Sequence, residues 1–108
     1  GKKLPANILP EIYLQFGTIP IAPYATPSTD EVPASIEPFV MEHNAVILGN
    51  HGLVAFGKTL EEAYYITQKL EQYAQICFNA KVLGGAKAIP AAQLKKLDGL
   101  KNTVYKSK

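Results

Sequence analysis

The chain has 108 residues, 47% of them hydrophobic, and a formal net charge of +2. Those figures describe one domain with a modest core and exclude a disordered chain. Its eleven basic residues are all lysines, many near the two ends; without arginine, the usual source of bidentate base contacts, no nucleic-acid partner is expected.

Residues 1–10 read as irregular, with Pro5 and Pro10 bracketing a short apolar segment. Pro10 suits the first residue of a helix, where a missing N–H has no partner to lose. The pattern predicts a helix over 10–16, stopped by Gly17. Ile19-Pro20-Ile21-Ala22-Pro23-Tyr24 mixes apolar residues with prolines, which cannot donate to a ladder, so an edge strand or extended segment is expected. Thr29-Asp30-Glu31 is a helix start, with acids at the positive end of the dipole. Val32, Ile36, Phe39 and Val40 share a helical face, which predicts a helix over 33–43, kinked or broken near Pro38.

Residues 45–48 and 53–56 form two short apolar runs, read as strands. Between them, 49–52 make a tight connection or a bulge. Thr59 and Glu62 form a capping box. Ala63, Ile66, Leu70, Tyr73, Cys77 and Ala80 then repeat at helical spacing, and Gly84-Gly85 stops the helix. That helix is on the order of 36 Å long, more than the preceding sheet and loops readily cover. Residues 90–97 read as a short helix, followed by a lysine-rich end expected to fray.

One cysteine excludes an internal disulfide and fits a reducing compartment, so a cytoplasmic location is expected. The apolar stretches are too short to span a membrane, and no signal peptide is visible.

Among residues that carry chemistry, His51 stands out. It lies in Asn50-His51-Gly52, between two apolar strands, where a rigid scaffold can hold a metal ligand or a proton carrier. Gly49 and Gly52 allow close backbone approach or positive φ. His43 falls at a helix end and reads as a cap. Glu61 and Glu62 belong to a helix first turn and receive no catalytic role. Cys77 lies on the apolar stripe as a small core residue. Tyr64, Tyr65 and Tyr73 read as packing or interface residues, while Tyr13, Tyr24 and Tyr105 remain open as proton donors. No phosphate-cradling glycine loop is present.

Ile19-Pro-Ile-Ala-Pro-Tyr-Ala-Thr26, followed by an acidic helix start, resembles the class II aldolase/adducin family. So does Ala45-Val-Ile-Leu-Gly-Asn-His-Gly-Leu-Val-Ala-Phe-Gly-Lys-Thr-Leu-Glu-Glu-Ala63. The similarity runs from about Leu4 to Gly85 and is nearest to the L-fuculose-phosphate aldolase branch. It implies an α/β fold with three layers, α/β/α, on a mostly antiparallel sheet. It also implies zinc or another divalent metal held by three histidines. Two come from an upstream His-x-His, and the third corresponds to His51, with Asn50 and Gly52 shaping its surroundings. The implied reaction is retro-aldol cleavage of a ketose 1-phosphate to dihydroxyacetone phosphate and an aldehyde, in a homo-oligomer, commonly a tetramer.

The His-x-His, the basic glutamate and the phosphate-binding residues of the family have no counterpart in this sequence. The position of the family's proton-donating tyrosine falls near Leu9, which cannot do that job; Tyr13 is close but unmatched. Residues 1–85 are therefore expected to be the C-terminal half of an aldolase-like domain, inactive without an upstream partner, and 86–108 a lysine-rich tail. The alternatives are half of a same-fold epimerase or dehydratase, or a non-catalytic adducin-like interaction module.

Overall fold

The structure, a computed structural model, describes residues 3–101. Tyr105 and the outermost lysines of the expected tail lie outside them. The first helix, α1 (Pro10–Phe16), has proline at its start and ends on Gly17 at φ 65°, the left-handed conformation glycine adopts without penalty. Gly17 N–H donates to the Tyr13 carbonyl at 3.0 Å, closing the last turn.

Strand β1 (Ile21–Ala22) is the ordered core of the proline-bounded segment. Helix α2 (Glu31–Val40) starts two residues earlier than the sequence pattern predicts and ends three residues earlier. Pro33 did not delay its start, because an N–H in the first turn has no helical partner to miss. Pro38 lies inside the helix. It withholds a donor from the preceding turn, and the helix stops two residues later.

Strands β2 (Ala45–Leu48) and β3 (Gly52–Ala55) form an antiparallel hairpin, and β1 pairs with β2 in parallel. The described sheet is thus mixed, in the order β1-β2-β3. Because strand side chains alternate, the hairpin has two distinct faces. Ala45, Ile47, Leu53 and Ala55 meet α3 (Leu60–Val82) in a cluster with Ile66, Leu70 and Tyr73, to which α1 adds Ile12. On the opposite face Leu48 borders a crevice with Val32 and Ser35 of α2. Helices on both faces make three layers, as the family resemblance implies.

The 23 residues of α3 begin at Thr59, whose side-chain oxygen accepts from Glu62 N–H at 3.1 Å. The returning Glu62 carboxylate accepts from Lys58 N–H at 3.3 Å rather than from the cap residue itself. The Tyr73 hydroxyl donates to the Pro5 carbonyl, tying the N-terminal segment to α3. Burial of the stripe weakens beyond Tyr73: Cys77 is half-buried, and Phe78, Val82 and Leu83 are exposed.

Helix α4 (Ala91–Lys101) extends four residues beyond the predicted end and packs on α1. The Tyr13 hydroxyl donates to Asp98 Oδ1 at 2.6 Å, and the Lys101 ammonium sits 4.2 Å from the Tyr13 ring centroid.

Candidate functional site

The Leu48–His51 turn positions the candidate residue. His51 N–H donates to the Leu48 carbonyl at 3.1 Å, closing a four-residue turn. Asn50, at its third position, has φ 60°. A turn of this shape needs a residue tolerant of the left-handed region, and asparagine is second only to glycine in that respect. The positive φ therefore falls on Asn50, not on the flanking glycines.

Gly49 does the other job foreseen for it. Its N–H donates to the Ala22 carbonyl at 3.1 Å. A Cβ there would stand 3.0 Å from that same oxygen and 3.2 Å from Tyr24 N. Absence of a side chain lets the turn lie directly on the backbone that follows β1. Gly52 pairs with Leu48 at the start of β3, and a Cβ on it would meet nothing within 4 Å.

These constraints leave the His51 side chain exposed at the carboxyl end of β2. It borders a crevice of about 10 Å³, shared with Pro23, Ala25, Val32 and Ser35, with room for about one water. The imidazole is not walled in by aliphatic neighbours and is open to a ligand arriving from outside the described residues.

The other sequence candidates lie elsewhere. His43 sits before the opposite end of β2, its ring edge-on to Phe39 with centroids 6.2 Å apart. Its backbone N–H, rather than its side chain, closes the end of α2 by donating to the Phe39 carbonyl at 3.0 Å. Glu62 serves the helix cap, and Glu61 accepts from the Tyr65 hydroxyl at 3.1 Å. Tyr13 is engaged with Asp98, and that hydrogen bond, with burial, raises its pKa. Tyr24 borders the His51 turn through its backbone, and its side chain is 59% exposed.

The described residues contain no group of three or more His, Cys, Asp or Glu side chains able to hold a metal ion. A catalytic zinc needs about three protein ligands, so the described donor set does not make a metal site by itself. His51, exposed on a hydrogen-bonded turn, would fill one place in such a set. The contacts that position it, Gly49 against Ala22 and Tyr24, were only half legible in advance. Gly49 signalled a close approach, but nothing in sequence named the strand approached.

Fold and site together define a three-layer α/β/α protein presenting a lone imidazole from the hairpin turn of its sheet. The family model described as Class II Aldolase and Adducin N-terminal domain matches residues 1–78. The chain belongs to the class II aldolase/adducin family. It is 30% identical over 76 residues to 5-deoxy-D-ribulose 1-phosphate aldolase from Bacillus thuringiensis serovar kurstaki, covering 70% of this chain and 36% of that protein. It is 29% identical over 69 residues to 3-oxo-tetronate 4-phosphate decarboxylase from Escherichia coli K12, covering 64% of this chain and 32% of that protein. A solved structure of an L-fuculose 1-phosphate aldolase superposes with a TM-score of 0.75 at 28% identity, over 91% of this chain and 46% of the other. The chain thus spans less than half the length of these relatives. No helix among the described residues is long and apolar enough to cross a membrane.

Proposed function

We propose that this chain forms part of a metal-dependent enzyme that cleaves a carbon–carbon bond in a phosphorylated ketose, with His51 as one metal ligand. The observation that carries the reading is the exposed His51 imidazole on a turn fixed by Gly49 and Asn50, in a chain of the class II aldolase/adducin family. The remaining ligands, the base and the phosphate-binding groups come from polypeptide beyond the described residues, and the chain alone is inactive. A homo-oligomer and a cytoplasmic setting belong to the same reading.

Retro-aldol cleavage of a ketose 1-phosphate leaves the enediolate of dihydroxyacetone phosphate. Loss of carbon dioxide from a 3-oxo acid phosphate leaves an enolate of the same kind. Relatives of both types match this chain, and the common demand is stabilisation of negative charge on oxygens beside the broken bond. A divalent ion bound there supplies that stabilisation as a Lewis acid. This chain's own contribution is to present a ligand in fixed geometry: Asn50 takes the left-handed position before His51, Gly52 pairs with Leu48 after it, and Gly49 anchors the turn. We favour the aldolase over the decarboxylase because three different phosphoketose aldolases match the chain, against one kind of decarboxylase, and an L-fuculose 1-phosphate aldolase shares the fold.

The test combines the chain with a polypeptide supplying a His-x-His segment of the fold. Zinc content and release of aldehyde from L-fuculose 1-phosphate, L-rhamnulose 1-phosphate and 5-deoxy-D-ribulose 1-phosphate are then measured. His51→Ala is expected to lower zinc affinity at least tenfold while leaving the fold intact. Unchanged affinity would remove His51 from the coordination sphere, and carbon dioxide release from 3-oxo-tetronate 4-phosphate without aldehyde release would move the assignment to the decarboxylase.

A further inference from the structure

At the opposite end of the parallel β1–β2 pair from His51 lies a second and larger cavity, a cleft of about 790 Å³. Its volume is in the range of small-molecule sites. Lys3, Asn7, Thr18, His43 and Lys101 contribute its polar wall, and Tyr13 and Phe39 an aromatic one. Among the described residues no carboxylate lines it. The nearest acid on α4, Asp98, is one turn from Lys101 and is occupied by the Tyr13 hydroxyl at 2.6 Å.

The Lys101 ammonium rests 4.2 Å from the Tyr13 ring centroid and would be 3.3 Å from a Cβ on Gly17. A glycine at the end of α1 therefore gives the ammonium its seat. The cleft thus gathers two lysines, a ring N–H and a hydroxyl, with no anion among its described lining residues. Lysine is a point-charge binder of phosphate, and the histidine and threonine side chains can complete the hydrogen bonds.

We infer that this cleft binds a small phosphate monoester, held by Lys101 and Lys3 at the phosphate and flanked by Tyr13 and Phe39. The site is distinct from the His51 turn and does not depend on the chain's catalytic reading. Because Lys101 belongs to α4 and Tyr13 to α1, an occupant would also strengthen the docking of the last helix.

The experiment titrates the ¹⁵N-labelled protein with inorganic phosphate and, separately, glycerol phosphate, at constant ionic strength with chloride as the control. Saturable shifts of the Tyr13, Thr18 and Lys101 amides are expected, with glycerol phosphate the tighter ligand and chloride without effect. Lys101→Met should weaken binding at least fivefold, and Lys101→Arg should stay within twofold of the parent. Lys3→Met, which leaves the α1–α4 contact untouched, should weaken binding at least twofold and guards against mere loss of helix docking. His51→Ala should bind phosphate as the parent does. Absence of saturation, shifts confined to residues 49–52, or unchanged affinity in either lysine-to-methionine variant would overturn the inference.

Discussion

Replacing Gly49 by alanine adds a single methyl group where the hairpin turn crosses the backbone after β1. The new Cβ would lie 3.0 Å from the Ala22 oxygen, 3.2 Å from Tyr24 N and 3.5 Å from Pro23 C. All three are backbone atoms, so no side chain can swing aside. Relief must come from opening the β1–β2 pair, which also lengthens the 3.1 Å hydrogen bond from Gly49 N–H to the Ala22 carbonyl. Overpacking of this kind costs about 1–3 kcal/mol, and a weakened hydrogen bond adds roughly 1 kcal/mol. The lower unfolded-chain entropy of alanine offsets about 0.4–1 kcal/mol. We expect a net loss of about 2 kcal/mol, which lowers Tm by about 8–16 °C in a domain of this size. Urea unfolding followed by circular dichroism measures it, with Gly52→Ala as the control. A Cβ on Gly52 meets nothing within 4 Å, so that variant should stay within about 0.5 kcal/mol of the parent. Equal destabilisation by the two substitutions would refute the close-approach reasoning.

Tyr73→Phe leaves the Pro5 carbonyl without the hydroxyl that serves it and should cost about 1–3 kcal/mol by urea titration. Burial first, then interaction with Cys77, raises the Tyr73 pKa above its ordinary value of 10.0. The folded state therefore holds this proton more tightly than the unfolded chain. Its contribution is intact below pH 10 and is lost as pH rises toward the folded value, so unfolding free energy should fall with pH above about 10. That slope should be smaller in Tyr73→Phe. Thr59→Ala removes the cap oxygen serving Glu62 N–H and should cost about 1 kcal/mol, with hydrogen exchange faster in the first turn of α3.

Local punctuation made some elements readable from sequence and left others ambiguous. Pro10 and Gly17 mark the limits of α1, and Thr59 with Glu62 marks the start of α3, because each signal satisfies or spares particular backbone groups within one turn. Helix α2 carried two competing signals. Thr29-Asp30-Glu31 favoured an early start, and Thr29 Oγ1 accepts from Glu31 N–H at 3.2 Å; giving Pro33 the first position displaced the predicted boundary. The hairpin turn was located by its glycines, but the left-handed residue is Asn50. The pairing of Tyr13 with Asp98, 85 positions away, left no periodic trace, since a hydrogen bond between two helices constrains neither helix locally. Parallel pairing of β1 with β2 was equally hidden: it depends on how the chain returns through α2, not on the two residues of the strand.

The same distinction separates the structural residues of the turn from the residue proposed to act there. Gly49 and Asn50 meet demands of the fold: a close approach that excludes a side chain, and a φ that disfavours most residues. His51 meets neither demand through its side chain, which is exposed. Loss of its imidazole should therefore change unfolding free energy by less than about 0.5 kcal/mol, even as it weakens metal binding in the combined protein. A structural histidine would give the reverse pattern, with a stability loss comparable to that of Gly49→Ala and no selective effect on zinc. Measuring both quantities on the same variants separates these roles, because the backbone clamp and the imidazole occupy adjacent positions but answer to different physical requirements.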